Sequence, residues 1–309
     1  MTEVGRGRRT VRDLRIKLAE YLIQFEEGQR LPSIRDLAKA THMSVGSVST
    51  ALNDLQTMGA VKIQNRGHLG SIVTGLSWGT LWNVIEQGPL VIALTLPMHS
   101  RFEGLATALK MAFEKCGIEA YLIFIRGSTT RLKALKENRC HVTVLSGMAA
   151  EEHCGTQDEI ILELPPGSWI SQYDIFYRTL QPEGGKPLRV AVDRDSSDHM
   201  RLSDLVFAGQ KIEYKVGSYV QISRLLKNGE VDATVWTIDQ ADAFLGAGVQ
   251  CQPIPAKVMD LIGTKSTSAA FVARAGSATV RAIFKAAIRP DEVLAIQNKV
   301  SAGEMIPAY

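Results

Sequence analysis

The sequence has no apolar run long enough to cross a membrane. Its longest nearly continuous apolar stretch, Leu90 to Leu96, spans seven residues, whereas a transmembrane helix needs about 20. The residues that follow Met1 also contain no apolar segment of the kind that a secretory signal has. We therefore expect a cytoplasmic protein with no membrane partner.

Cysteine is scarce as well. The 309 residues include four cysteines, none of them in a Cys-x-x-Cys pair, so neither a zinc ribbon nor a disulfide framework is indicated. Cysteine and histidine are adjacent at positions 140–141 and 153–154, but zinc ligands are usually separated by about two to four residues. We expect reduced thiols and no metal or cofactor.

The familiar motifs of enzyme active sites are also missing. The sequence contains no Gly-x-Ser-x-Gly elbow, phosphate-binding loop, His-Glu-x-x-His or zinc-deaminase signature. Asp193, Asp195 and Asp198 lie close together, but they lack the glycine and the terminal glutamate of a calcium loop, and a polar loop explains them as well. We expect a protein that is not an enzyme and has no catalytic residues.

Positive charge is unevenly distributed along the chain. Residues 1–75 contain 11 Lys and Arg against 7 Asp and Glu, whereas residues 76–309 contain 24 against 25. Six cations cluster near the start, namely Arg6, Arg8, Arg9, Arg12, Arg15 and Lys17. Such a cluster binds a nucleic-acid backbone through counterion release, although a solvated helix face has the same composition.

The apolar spacing of the first quarter predicts a helix-turn-helix. Apolar residues recur at three- and four-residue intervals from Val11 to Phe25, which is typical of an amphipathic helix. Ser33 is a suitable N-cap for a second helix, and Ser44 is one for a third that ends at Gly59. Two short helices joined by a brief turn form a helix-turn-helix.

A small hairpin is predicted after the third helix. Residues 60–64 and 71–74 have strand character, and the turn between them contains two glycines. In this position the hairpin would be the wing of a winged helix.

These residues resemble the GntR-type winged-helix transcription regulators. The stretch Leu-Pro-Ser-Ile-Arg-Asp-Leu-Ala at 31–38 is similar to the family's Leu-Pro-Ser-Glu-Arg-Glu-Leu-Ala, and the wing is similar too. Val45 and Ser49 stand where the family usually has arginines, so the usual bidentate reading of guanine is absent and the operator does not follow from the family.

The resemblance implies an operator in double-stranded DNA and, because two half-sites are usually read, a homodimer. Arg35 corresponds to the family arginine that reaches DNA, with a salt bridge to Asp36 or Asp54 as the alternative role. The complete set of expected DNA contacts is Arg35, Ser44, Ser47, Thr50, Arg66 and His68. We expect Arg66 and His68 at the wing tip, where a cation can enter a minor groove.

The remaining residues alternate between apolar strands and amphipathic helices. We assign residues 1–75 to the winged helix-turn-helix domain, 76–89 to a linker and 90–309 to a two-lobed α/β domain. Lobe I is expected at about 90–180 plus 265–309, and lobe II at about 186–260. The loop-like segment 181–187 would separate the two lobes.

Two such lobes resemble the type 2 periplasmic-binding-protein fold, which LysR-type regulators also use as an effector domain. The segment from Gly229 to Ala233 is similar to a Gly-x-Val-Asp-Ala piece of that fold. The predicted fold class is thus an α+β winged helix-turn-helix domain followed by a two-lobed, periplasmic-binding-protein-like α/β domain. This combination resembles the YhfZ family of regulators.

Ligands of open α/β folds bind beyond the carboxyl ends of the strands, near helix N-termini. Several serines of both lobes occupy such positions, where a serine either binds an anion or merely caps its helix. The candidate ligand-binding residues are Ser100, Arg101, Ser128, Ser146, Ser196, Ser197, Ser218, Tyr219 and Trp236. Their convergence favours an interlobe site for a small anionic molecule.

The leading hypothesis is a DNA-binding transcription regulator that senses a small-molecule effector. The alternative is a cytoplasmic enzyme or ligand-binding carrier with an attached winged helix.

Overall fold

The computed structural model describes residues 3–86 and 88–309, and it describes the side chains of these residues except 3–11 and 69. The side chains of Arg6, Arg8 and Arg9 therefore lie outside the described residues. The chain forms two units. The first contains residues up to Leu90 with 110–121 and 276–289, and the second contains 91–109, 122–275 and 290–309.

The N-terminal part of the first unit is a helix-turn-helix, as predicted. Its helices are α1 Glu3–Leu22, α2 Ile34–Thr41 and α3 Val45–Thr57. The Ser33 Oγ accepts a hydrogen bond from the Asp36 N–H at 3.2 Å, and the Ser44 Oγ accepts one from the Ser47 N–H at 3.1 Å. Both predicted N-caps are confirmed, because each satisfies an N–H group that the helix leaves unpaired.

The wing is a three-stranded antiparallel sheet. Its strands are β1 Arg30–Leu31, β2 Val61–Asn65 and β3 Ser71–Leu76, in the order β1-β3-β2. The predicted hairpin is β2 with β3, and the short β1 was not predicted. The turn between β2 and β3 is held by the Gly67 N–H, which donates to the Asn65 side-chain oxygen at 2.9 Å.

The apolar stretch assigned to a linker contains a helix, α4 Trp78–Ile85, capped by Ser77. Trp82 is fully buried, and its indole N–H donates to the Gly88 carbonyl oxygen at 2.8 Å. The Gly79 N–H donates to the Cys116 carbonyl oxygen at 3.1 Å. Because α4 also packs against α1, this segment belongs to the core of the first unit.

The rest of the chain builds two five-stranded sheets. The strands are β4 Leu90–Leu94, β5 Ala120–Phe124, β6 Val142–Ser146, β7 Asp158–Glu163, β8 Tyr173–Tyr177, β9 Leu188–Val192, β10 Ile212–Val216, β11 Ala233–Thr237, β12 Gln250–Pro253 and β13 Ala269–Arg274. The lobe I sheet has the order β5-β4-β6-β13-β7, and the lobe II sheet has the order β10-β9-β11-β8-β12. In both sheets the parallel part is continued by antiparallel strands.

The helices of this part are α5 Ser100–Lys115, α6 Ser128–Lys136, α7 Gly147–His153, α8 Ser197–Val206, α9 Tyr219–Lys227, α10 Ala241–Phe244, α11 Ala256–Ile262, α12 Ala278–Ala287 and α13 Pro290–Ser301. The predicted fold class, a helix-turn-helix domain followed by a two-lobed α/β domain, is confirmed. No helix within residues 3–86 and 88–309 is long and apolar enough to span a bilayer.

The expected end of the first segment of lobe I lies too late in the sequence. We placed lobe I up to about residue 180, but β8 lies in the lobe II sheet, where it pairs antiparallel with β11 and β12. The chain therefore crosses to lobe II before Tyr173. It returns with β13, which lies between β6 and β7 in the lobe I sheet. The proposed division at residues 75 and 89 stays a prediction.

The contact between α4 and Gly117 predicts a stability effect. A Cβ atom at Gly79 would overlap the Gly117 carbonyl oxygen, whereas a Cβ at Gly46 in α3 would meet nothing within 4 Å. We expect Gly79→Ala to lower the free energy of unfolding by about 1–3 kcal/mol, because the backbone must move to relieve the overlap. Gly46→Ala, the matched control, should be neutral or stabilising by up to about 1 kcal/mol. Urea denaturation of the three proteins measures both changes, and equal effects would contradict the packing.

Candidate functional site

The second unit contains a cavity of about 100 Å³ between its two lobes. Lobe I contributes the residues that follow β4, β5 and β6, and lobe II contributes those that follow β9, β10 and β11. Each of these segments leaves the carboxyl end of its strand. The cavity thus occupies the edge at which α/β folds bind ligands.

Five of the nine candidate ligand residues line this cavity, namely Ser128, Ser146, Ser196, Tyr219 and Trp236. The Ser146 Oγ accepts from the Ala149 N–H at 2.9 Å, and the Ser196 Oγ accepts from the His199 N–H at 3.4 Å. These two hydroxyls are therefore helix caps. The Trp236 indole N–H donates to the Gln240 amide oxygen at 2.7 Å.

The other four candidates, Ser100, Arg101, Ser197 and Ser218, do not line the cavity. The Arg101 guanidinium donates to the Gly167 carbonyl oxygen at 2.7 Å and lies 3.5 Å from an oxygen of Asp239. Its charge is thus paired within the protein, which corrects the expectation that it faces a ligand. Ser197 contacts Ser128, with the two hydroxyl oxygens 3.2 Å apart.

Arg131 is the arginine that lines the cavity. The sequence analysis did not single it out. It lies in the first turn of α6 and is 3% exposed. Its guanidinium donates to the carbonyl oxygens of Val144 and Ile125 at 3.1 and 3.0 Å. Among the residues that the structure describes, no carboxylate forms an ion pair with it. Burial lowers the pKa of Arg131 to about 10, so it is protonated at neutral pH.

Asp198 is the acidic group of the cavity. It lies in the first turn of α8 and is buried, and its Oδ1 has no hydrogen-bond partner in the described part of the chain. Burial raises the pKa of Asp198 to about 6, although the Ser146 hydroxyl and the charge of Arg131 oppose this shift. The carboxyl group is therefore mostly ionised at neutral pH.

Two buried histidines also reach the cavity. Burial lowers the pKa of both His99 and His199 to about 4, so both rings are neutral. Both ring nitrogens of His199 have hydrogen-bond partners, because its Nδ1 accepts from the Asp193 N–H at 3.0 Å and its Nε2 lies 3.1 Å from the Thr234 hydroxyl. Within the described residues, neither ring nitrogen of His99 has a partner.

An ion-pair cluster joins the two lobes beside the cavity. Arg126, which follows β5 in lobe I, donates to the Asp193 carboxylate at 2.7 Å and also pairs with Asp195. The same Asp193 carboxylate accepts from the N–H groups of Tyr219 at 2.9 Å and Asp195 at 3.0 Å. Asp193 and Asp195 thus share one cluster and neutralise the same arginine, whereas Asp198 lies outside this cluster.

Five of the six expected DNA contacts are exposed, namely Arg35, Ser44, Thr50, Arg66 and His68, and Ser47 is half-buried. The Ser44 and Ser47 hydroxyl oxygens are 2.8 Å apart, and the Thr50 hydroxyl donates to the Gly46 carbonyl oxygen at 3.1 Å.

The alternative role of Arg35 has no support in the described residues. Asp36 accepts a hydrogen bond from the Ser33 hydroxyl at 2.6 Å, and Asp54 lies 3.9 Å from Arg15. Neither carboxylate forms an ion pair with Arg35, whose exposed guanidinium is therefore open to a partner outside the chain.

The environment of Asp198 predicts an effect on stability. Folding raises the pKa of the Asp198 carboxyl from its usual 3.8 to about 6, so ionisation of this carboxyl disfavours the folded state. The unfolding free energy therefore falls as the pH rises from about 3.8 to about 6. We expect Asp198→Asn to raise the unfolding free energy by about 1–3 kcal/mol at pH 7.5. The gain should shrink toward zero near pH 4.

Denaturation of both proteins from pH 4 to 7.5 provides the measurement. Arg131, Glu152 and Arg201, the charged groups that act on Asp198, are present in both proteins, so the difference between the two curves isolates Asp198. Destabilisation by the substitution at pH 7.5 would contradict a buried carboxylate whose ionisation disfavours the folded state.

Comparisons with known proteins identify both parts of the chain. Residues 78–309 match the model of the YhfZ C-terminal domain, and residues 26–73 match a model of a helix-turn-helix domain. The YhfZ protein of Escherichia coli K12 is 29% identical over 294 residues, which cover 94% of this chain and 95% of that protein.

Two solved structures are among those similar to this chain. The crystal structure of YhfZ from Shigella flexneri has 27% identity and a TM-score of 0.62, and the match covers 75% of this chain and 98% of that one. An OxyR C206 mutant from Corynebacterium glutamicum has 14% identity and a TM-score of 0.48, over 94% of each chain. Because its C-terminal domain model matches three quarters of the sequence, the chain belongs to the YhfZ family.

Proposed function

We propose that this protein is a DNA-binding transcription regulator whose two-lobed domain senses a small anionic metabolite. The observation that carries the proposal is the buried guanidinium of Arg131, which lines the interlobe cavity and forms no ion pair with the described residues. A buried charge is costly unless a counter-charge compensates it. An anionic ligand in the cavity would supply that counter-charge.

The start of α6 supports the same assignment. Gly127, the N-cap residue, provides no side-chain acceptor for the helix, so its first N–H groups and the helix dipole favour an anion. The N-terminus of α9 differs, because the Asp193 carboxylate already accepts from the Tyr219 N–H. The positive end of α6 and Arg131 together define where the anion would bind.

The helix-turn-helix match supports a DNA partner. The exposed surface of α3 carries short hydroxyl side chains that fit a major groove, and Arg66 and His68 at the wing tip would contact the backbone or the minor groove. We include in the proposal a GntR-type mode of binding, a homodimer that reads two half-sites, and a cytoplasmic location, where the DNA is. The protein would act without catalysis.

Arg66 should contribute a phosphate contact. We expect Arg66→Ala to weaken binding to all DNA sequences and to reduce the slope of log affinity against log salt by about one unit, because one fewer counterion is released. Fluorescence anisotropy with DNA from upstream of the gene measures the slope, and Lys211→Ala, an exposed cation of lobe II, is the control. Loss of affinity for one sequence with an unchanged slope would exclude the phosphate contact.

Binding of an anion should change DNA affinity. A ligand shifts a two-state equilibrium only through its different affinities for the two states, and a typical coupling of about 1–3 kcal/mol corresponds to a change of about 5- to 150-fold. We expect small carboxylates or phosphates to bind in calorimetry and to shift the DNA titration.

Arg131→Met, which removes the charge but keeps an unbranched side chain, should abolish that shift and leave effector-free DNA binding within about twofold. Arg139→Met, at an exposed arginine just beyond α6, is the control. If the best anion binds the wild type but leaves DNA affinity unchanged, the sensing role is wrong. If it binds Arg131→Met equally well, the anion site is wrong.

A further inference from the structure

We propose that the effector is a small α-amino acid with an apolar side chain, whose carboxylate pairs with Arg131 and whose ammonium group pairs with Asp198. This inference rests on the proposed function, since it specifies the ligand of the same cavity. It adds a positive charge on the ligand to the negative charge that the proposed function requires.

The first argument is a pair of buried charged groups that form no ion pair. Arg131 forms no ion pair in the described part of the chain, and the Asp198 Oδ1 has no hydrogen-bond donor there. The charge of Arg131 acts on the Asp198 carboxyl and the reverse, so the two groups lie within Coulombic range although they form no salt bridge. A ligand that carries an anion and an ammonium group a few ångströms apart would compensate both.

The second argument is the size of the cavity. The cavity has a volume of about 100 Å³, whereas a cavity of roughly 150 Å³ binds benzene, so the site takes only a small molecule. Small α-amino acids belong to this size class. A nucleotide or a disaccharide is too large.

The third argument is the apolar part of the lining, to which Phe102, Trp169, Ile170, Tyr173 and Val235 contribute. The rings of Phe102 and Trp169 pack with their centroids 4.7 Å apart. His99 is neutral, so it adds no third charge to the site. An apolar side chain therefore has a surface against which to pack once both charged ends are placed.

A simple dicarboxylate fits less well. A second negative group beside Asp198 would be repelled, or would force the carboxyl to take up a proton. A hydroxy acid is the closest competitor, because its hydroxyl could donate to the Asp198 Oδ1 as an ammonium group does. It lacks only the positive charge, so the comparison between the two ligand classes isolates the ion pair.

The experiment uses three matched ligand series and the full-length protein. The first series contains valine, leucine, isoleucine and methionine in both enantiomers, the second contains the 2-hydroxy acids with the same carbon skeletons, and the third contains the corresponding decarboxylated amines. Calorimetry at pH 7.5 measures each dissociation constant. We expect at least one amino acid to bind at least tenfold more tightly than its hydroxy acid and its amine.

Two variants test which side chain binds each charged end of the ligand. Asp198→Asn should weaken binding of the amino acid at least tenfold and change binding of the hydroxy acid less than threefold. A merely structural role of Asp198 would not produce this difference between the two ligands. Arg131→Met should weaken both. Asp204→Asn, at an exposed position of the same helix, is the control and should leave every constant unchanged.

The outcomes separate this inference from the proposed function. If no amino acid of the series binds at millimolar concentration, or if the hydroxy acids bind the wild type equally well, the amino-acid assignment is wrong. Binding of hydroxy acids that depends on Arg131 and shifts DNA affinity would then still support an anion sensor. If an amino acid binds through Asp198 but leaves DNA affinity unchanged, the assignment stands and the sensing role fails.

Discussion

The Asp193 carboxylate accepts hydrogen bonds from three segments around the interlobe cavity. Arg126 reaches it from lobe I, and the N–H groups of Asp195 and Tyr219 reach it from lobe II. The Asp193 N–H in turn donates to His199 in α8. Because this carboxylate is 2% exposed, each of these bonds lies in a weakly screened environment, and together they fix the strand ends from which the cavity wall is built.

The charged residues around the cavity differ in whether they form ion pairs. The cluster around Arg126 is internally neutralised, whereas Arg131 and Asp198 form no ion pair within the described residues, and the Asp198 Oδ1 has no hydrogen-bond partner there. Burying such groups costs folding free energy, and binding sites commonly retain a cost of this kind in exchange for function. The proposed ligand relieves it at both groups, so binding and stability are linked through the same two side chains.

The helix-turn-helix was predictable because its signals are local. Ser33 and Ser44 precede apolar residues at helical spacing, and that pattern alone specifies capped helices. The site was less predictable. Strand ends and serines were recognised, but a cap and a ligand contact have the same sequence pattern, and the enclosure of Arg131 and Asp198 depends on tertiary packing. The helix that starts at Pro290 had a local signal, proline at its first position before Asp291 and Glu292, which we missed.

The return of β13 to the lobe I sheet has a consequence for biosynthesis. All five strands of the lobe II sheet lie within residues 173–253, whereas the lobe I sheet lacks the strand between β6 and β7 until residues 269–274 have been translated. Although lobe I begins first on the ribosome, lobe II has its complete set of strands earlier. During that interval β6 and β7 expose unpaired edges that are prone to pairing with other chains, so the nascent protein is most vulnerable to aggregation just before its last strand emerges.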